Sequence, residues 1–156
     1  MALNQSAWSA APVNKHTVYT CTVAGTDDAD VMTVRTPKTL NTNKPFSLIV
    51  YVPEDLSASG TAALDIWGGV SDSCSLATAD AGTDAYLIAA LSADLDSGAT
   101  QVTHVYPGQL AGGLTQVVNS ASLNVVVLPP YPYYIFNVDL SATLQDAATI
   151  TFTIIQ

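Results

Sequence analysis

From residue 17 onward, apolar and polar positions alternate with the period of two that a half-buried strand imposes. The pattern predicts strands over Thr17–Val23 and over Val31–Thr36, the second stopped by Pro37. Phe46–Val52 follows, with Phe46, Leu48, Val50 and Val52 on one face and Ile49 and Tyr51 on the other. A strand apolar on both faces is either central or covered on its outer side, by the N-terminal segment or by another subunit. In Thr61–Val70, Ala62, Leu64, Ile66, Gly68 and Val70 oppose Ala63, Asp65, Trp67 and Gly69, and the glycine pair points to a bulge or a close backbone approach. Thr100–Tyr106 and Leu123–Leu128 read as further strands, with a brief extended piece over Leu114–Val118. The last stretch is the most regular. Tyr134, Phe136, Val138 and Leu140 alternate with Asn137, Asp139 and Ser141, and after a polar loop Ile150, Phe152 and Ile154 alternate with Thr149, Thr151 and Thr153. These two strands are expected to pair, one face on a core and one face wet, as the closing element of an antiparallel β-domain.

Two segments lack that clarity. In Asp84–Asp96, Leu87, Ile88, Leu91 and Leu95 would form a helical stripe, whereas Ala85–Leu91 is also a short apolar run of the kind buried between sheets. The strand is preferred because strands dominate the rest of the chain. Residues 1–16 have no period, only isolated apolar anchors at Leu3, Trp8 and Val13, and read as an extended arm that lies against its own domain or a neighbour. Pro129, Pro130 and Pro132 make a rigid extended lead into the closing strands. The expected architecture is therefore all-β: an antiparallel β-sandwich or jelly roll of eight or nine strands over residues 17–156, preceded by an arm over residues 1–16.

At 156 residues the chain can bury a full core without staples. Its composition is unusual in charge: only 11% of residues are charged, against about 25% in an ordinary soluble domain. The net charge is −9, and its layout is lopsided. Lys15, Arg35, Lys38 and Lys44 are the only bases, and everything after residue 44 is acidic or neutral. Such a body repels phosphate, which excludes nucleic acid and anionic membrane surfaces as expected partners. A protein partner fits better, with the basic N-terminal segment facing an acidic neighbour. Residues 1–11 lack the basic and apolar regions of a secretory leader, and no apolar run reaches membrane-helix length. Cys21 shares a parity with Tyr19 and Val23, and Cys74 sits in the polar loop SDSCS; two free thiols in a reducing cytosol are expected.

Chemistry-bearing motifs are few in this chain. His16 and His104 have no second histidine or cysteine at ligand spacing, so no metal site is expected. Ser71 lacks the second glycine of a nucleophile elbow, and Gly108, Gly112 and Gly113 lack the Lys and Ser/Thr of a phosphate cradle. Glu54, Asp55 and most aspartates fall in turns, where Asp bonds its own backbone, and the Asp27, Asp28, Asp30 cluster lacks the glycine and terminal Glu of a calcium loop. No catalytic residue and no cofactor are expected, and the chain is read as a non-enzyme. Tyr131, Tyr133 and Trp67 offer either a sugar-stacking platform or part of a protein interface. Residues expected to meet a protein partner are the arm's Leu3, Trp8 and Val13, the bases Lys15, Arg35, Lys38 and Lys44, and the tyrosines Tyr131 and Tyr133.

From Phe46 onward the order of features resembles a tailed-bacteriophage capsid cement (head decoration) protein of the jelly-roll kind. It runs through the apolar strand FSLIVYV, the strand TAALDIWGGV, a small-residue loop with an apolar run, and LPPYPYYIFNVDLSATLQDAATITFTII, where that family tends to close with a Pro-containing loop, an aromatic strand and a Thr-rich last strand. The arm and Thr17–Val34 lie outside it. The resemblance implies a virion structural protein on the capsid exterior, made in the host cytoplasm. It would bind assembled major capsid protein, associate with itself as a dimer or trimer, and stabilise the phage head. The alternative is a carbohydrate- or receptor-binding β-sandwich module of a virion or cell surface, resting on Tyr131, Tyr133 and Trp67.

Overall fold

The computed structural model describes residues 5–24, 31–51, 62–74, 84–93, 100–108, 115–119, 123–140 and 149–156. Among them are eleven strands and no helix: β1 Ser9–Val13, β2 His16–Ala24, β3 Val31–Arg35, β4 Phe46–Tyr51, β5 Ala62–Gly69, β6 Ala85–Ala93, β7 Thr100–Pro107, β8 Thr115–Asn119, β9 Leu123–Leu128, β10 Tyr133–Leu140 and β11 Thr149–Ile155. They form two sheets that enclose one core. The larger has seven strands in the order β1-β2-β11-β4-β7-β9-β8, and the smaller has four in the order β3-β10-β5-β6.

Alternation dictates the packing. Odd positions of β2 (Tyr19, Cys21, Val23) and even positions of β4 (Phe46, Leu48, Val50) and β11 (Ile150, Phe152, Ile154) are buried, and they meet Val34, Leu64, Ile66, Tyr134, Phe136 and Val138 from the smaller sheet. Phe46 joins the layers through Tyr134, ring centroids 5.8 Å apart, and through an edge contact to Phe136 at 6.3 Å. The Tyr134 hydroxyl donates to the Pro129 carbonyl at 2.9 Å, which satisfies the polar end of a buried ring.

Ala85–Ala93 is a strand, as preferred over a helix; it is the edge of the smaller sheet. The glycine pair of β5 does what its spacing suggested. A register shift against β6 lies between Ile66 and Trp67. A Cβ on Gly68 would stand 2.5 Å from the Tyr131 ring, and one on Gly69 would press on the Cys74 sulfur.

Three expectations are corrected. β10 and β11 do not pair: β10 lies between β3 and β5, and β11 between β2 and β4, on opposite sides of the core. Alternation fixes which side chains point inward but is the same whether two strands adjoin or face each other. The outer face of β10 is not wet along its whole length either, because Ile135 and Asn137 are buried, Ile135 in a small outer cluster with Cys74 and Ala85. Nor is the sandwich wholly antiparallel. β8 runs back beyond β9, and β9 enters the slot beside β7 parallel to it.

The N-terminal segment is ordered against its own domain. β1 forms a hairpin with β2 through Asn14 and Lys15, with Val13 opposite His16 and Asn14 at φ 55°, a conformation asparagine tolerates. All five residues of β1 are exposed, so no period could mark it. Ahead of it, Ser6 donates its N–H to the Thr22 carbonyl at 2.8 Å. The Gln5 side chain accepts from the Arg35 N–H at 2.7 Å, and Trp8 Nε1 donates to the Arg35 carbonyl at 2.7 Å. Residues 5–8 thus seal the side of the sandwich where β2 and β3 lie. Leu3, the Asp27–Asp30 cluster, Glu54, Asp55, Asp94, Asp96, Gly112, Gly113 and Asp146 lie outside the described residues.

Candidate functional site

None of the seven strands of the larger sheet contains Asp, Glu, Lys or Arg. The smaller sheet, with fewer residues, carries Arg35, Asp65 and Asp139. A solvated sheet face ordinarily alternates apolar inward residues with charged or strongly polar outward ones. Here the outward positions are uncharged, mostly threonines and apolar residues in register, with Ser47 and His104 among them. One row runs Val18, Ile155, Ser47, His104, Val125, and the next Thr20, Thr153, Ile49, Val102, Leu123. A third contains Thr22, Thr151, Tyr51 and Thr100. Tyr51, Tyr106 and Leu123 are open to solvent, at 44%, 46% and 36% exposure, which marks the face as unfinished.

At one end of this face lies a groove of about 200 Å³ lined by His16, Ser47, His104, Tyr106, Ile155 and Gln156 among others. Ser47 Oγ and His104 Nδ1 are 2.8 Å apart. The two residues face each other directly across β4 and β7. A hydroxyl beside an imidazole is the first half of a nucleophile-base pair, but no carboxylate stands on any strand of this sheet to orient the ring. The arrangement is a cross-strand polar pair on an uncharged face. Gln156 closes the groove's rim. Its side chain accepts from the Asn41 N–H at 3.0 Å and donates to the Asn41 carbonyl at 2.7 Å, and its backbone pairs with Thr17.

The residues expected at an interface do not converge. Trp8 is half-buried on its own core, while Val13 and Lys15 are exposed at the β1–β2 hairpin. Lys44 is exposed in the turn whose Asn41 the Gln156 side chain clamps. Arg35 lies at the smaller sheet, its Nη1 donating to the Cys74 carbonyl at 3.0 Å and its guanidinium 6.0 Å from the Tyr133 ring centroid. Lys38 pairs with Asp72. Each holds the other's charged form, raising the ammonium pKa and lowering the carboxyl pKa, first through their hydrogen bond.

The aromatics divide as well. Tyr131 packs on the core side against Gly68, whereas Tyr133 and Trp67 lie on the outer side with Cys74, so the three form no single platform. Cys74 is buried rather than displayed in a polar loop. Burial pushes its thiol pKa up, with the nearby Arg35 pulling the other way, and Cys21 is pushed up to about 12 by burial. Both thiols are free.

Sequence reading missed the outward-facing Ile49 and Val102 of one row and Val125 and Ile155 of the next as a surface, although the two-sided apolar character of Phe46–Val52 announced part of it. Only the strand order shows that seven of the charge-free segments fall in one sheet. No protein-family model matches the chain, and no significant match to a curated protein is found.

Proposed function

We propose that this chain is a structural building block without catalytic function: a capsid cement protein that binds the assembled major capsid protein lattice of a phage head from outside and stabilises it. The observation that carries this reading is the seven-stranded sheet whose strands hold no charged residue, and whose outer face presents threonine, valine and isoleucine together with Ser47, His104, Tyr51, Tyr106 and Leu123. A lone soluble domain gains nothing from such a face, whereas an assembly component needs area that desolvates cheaply. The fold supports it too. Strand order β2-β11-β4-β7 in one sheet and β3-β10-β5-β6 in the other, all antiparallel within these sets, is read here as a jelly roll, with β8 and β9 inserted and β1 added at an edge.

The mechanism is mass action. A protein that binds the assembled lattice more tightly than free capsid subunits shifts the equilibrium toward the lattice. Purified chain mixed with shells of major capsid protein is expected to co-sediment at a fixed, saturating ratio and to raise the temperature at which shells break. Absence of co-sedimentation would remove the reading.

A second reading, a carbohydrate- or receptor-binding module, draws on Trp67 and Tyr133 sharing the outer side of the smaller sheet, the Trp67 indole N–H having no hydrogen-bond partner among the described residues. Saturable glycan binding lost in Trp67→Ala would favour it.

A further inference from the structure

We infer that the outer face of the seven-stranded sheet packs against the same face of a second copy of this chain, giving a two-fold dimer that buries the rows around Ile49 and Val102. The inference rests on the reading of the chain as an assembly component, and names what covers its uncharged face.

Charge singles out the occupant. Each copy carries −9, so two copies repel over most of their surfaces. The uncharged sheet is where they can meet with no like charge in contact. Face to face, the strands bearing Arg35, Asp65 and Asp139 end up on the far sides of the dimer, separated by about three sheet spacings of ~10 Å, well beyond a Debye length of ~8 Å. A partner recognised through charge would instead require complementary ions on this face, and its strands carry none.

The area is of the right size. Seven strands at ~4.8 Å spacing and about six residues at ~3.4 Å give a footprint of roughly 34 by 20 Å. With side-chain relief, that approaches the ~800 Å² per partner of a standard stable interface. With the two-fold axis lying along the row Thr20, Thr153, Ile49, Val102, Leu123, each residue meets its own copy, so apolar surface faces apolar surface and hydroxyl faces hydroxyl.

The strongest rival is the edge strand β6. It exposes Tyr86 and Leu87 at 53% and 55% and carries no charge, but it offers one strand's width and is interrupted by the register shift opposite Ile66 and Trp67.

Sedimentation equilibrium of the full chain at micromolar concentrations decides the matter, with Ile49→Lys, Val102→Lys and Thr153→Lys as face variants and Leu87→Lys as the β6 control. Each face variant appears twice in a two-fold interface. The wild type and Leu87→Lys are expected at twice 16.2 kDa, and the face variants as monomers with dimerisation weakened more than 100-fold. Cooperative thermal melts identify which variants are folded, and Thr153→Lys, the mildest change, stands in if Ile49→Lys fails to fold. A monomeric wild type, folded face variants that stay dimeric, or a Leu87→Lys that alone dissociates would each overturn the inference. Shell binding is scored separately: a wild-type dimer that ignores shells defeats the cement reading and leaves the dimer standing, and a monomer that binds shells does the reverse.

Discussion

Gly68 of β5 stands directly beneath the ring of Tyr131, so close that a Cβ there would lie 2.5–2.6 Å from three ring carbons. The contact locks the proline-rich lead Pro129–Pro132 onto the centre of the smaller sheet, since β5 pairs with β10 from Gly69 opposite Tyr133 onward. Gly68→Ala is expected to destabilise the fold by about 1–3 kcal/mol through overpacking. Urea denaturation checks it. In a double-mutant cycle, shortening Tyr131 to Ala is expected to recover part of that loss, because the two residues share one space.

Phe136 has no exposed surface and touches Phe46 edge-on. Phe136→Ala is expected to cost about 3–5 kcal/mol, the transfer and cavity terms together. At the opposite extreme, the Lys38–Asp72 pair is 66% and 56% exposed at its side chains. Lys38→Ala is therefore expected to leave the urea midpoint almost unchanged despite the pair's short contact. Comparing the two variants separates core packing from surface charge as the source of stability.

Trp8 ties the N-terminal segment to β3 through one hydrogen bond from its indole to the Arg35 carbonyl. Trp8→Phe keeps most of the packing and loses that bond, for an expected loss of about 0.5–1.5 kcal/mol. Trp8→Ala should cost more and expose the β2–β3 side to hydrogen exchange. Equal effects of the two variants would mean that the bond rather than the ring holds the segment.

Burial pushes both the Cys21 thiol and the Tyr134 phenol up to about 12. The folded chain therefore favours their neutral forms, while the unfolded chain ionises at the ordinary values of 9.0 and 10.0. Stability from these groups is fully present below about pH 9 and is lost as pH rises toward 12. Urea midpoints across that range are expected to fall, and Cys21→Ala with Tyr134→Phe should flatten the decline. Thiol titration should likewise find neither cysteine reactive until the protein unfolds.

Much of this fold was written in the alternation of residues. β2, β5, β10 and β11 each follow from one apolar parity, whereas β4 is apolar on both faces and β7 and β9 turn Gln101, Thr103 and Asn124 inward; Ala85–Ala93 resolves as a strand of the smaller sheet. What could not be read was neighbourhood. Phe136 and Phe152 alternate alike, yet one faces the other across the core instead of lying beside it, because period two encodes a face and not a partner. β1 was invisible for a related reason: Ser9–Val13 buries neither face. The interface expectation followed positive charge and single aromatics, and so named Arg35, Lys38 and Tyr133, which the fold commits to contacts with Cys74, Asp72 and Arg35. The uncharged rows of Ile49 and Val102 became visible only when strand order placed seven charge-free segments side by side.

Hydroxyl-radical footprinting of tyrosines reads the coverage of the uncharged sheet most directly. Tyr51 and Tyr106 lie on that sheet and Tyr86 on β6, with free-chain exposures of 44%, 46% and 53%. In the assembled protein, Tyr51 and Tyr106 are expected to be modified several-fold more slowly than Tyr86. Equal modification of all three would show that the face stays open to water, and would contradict the idea that it exists to be covered.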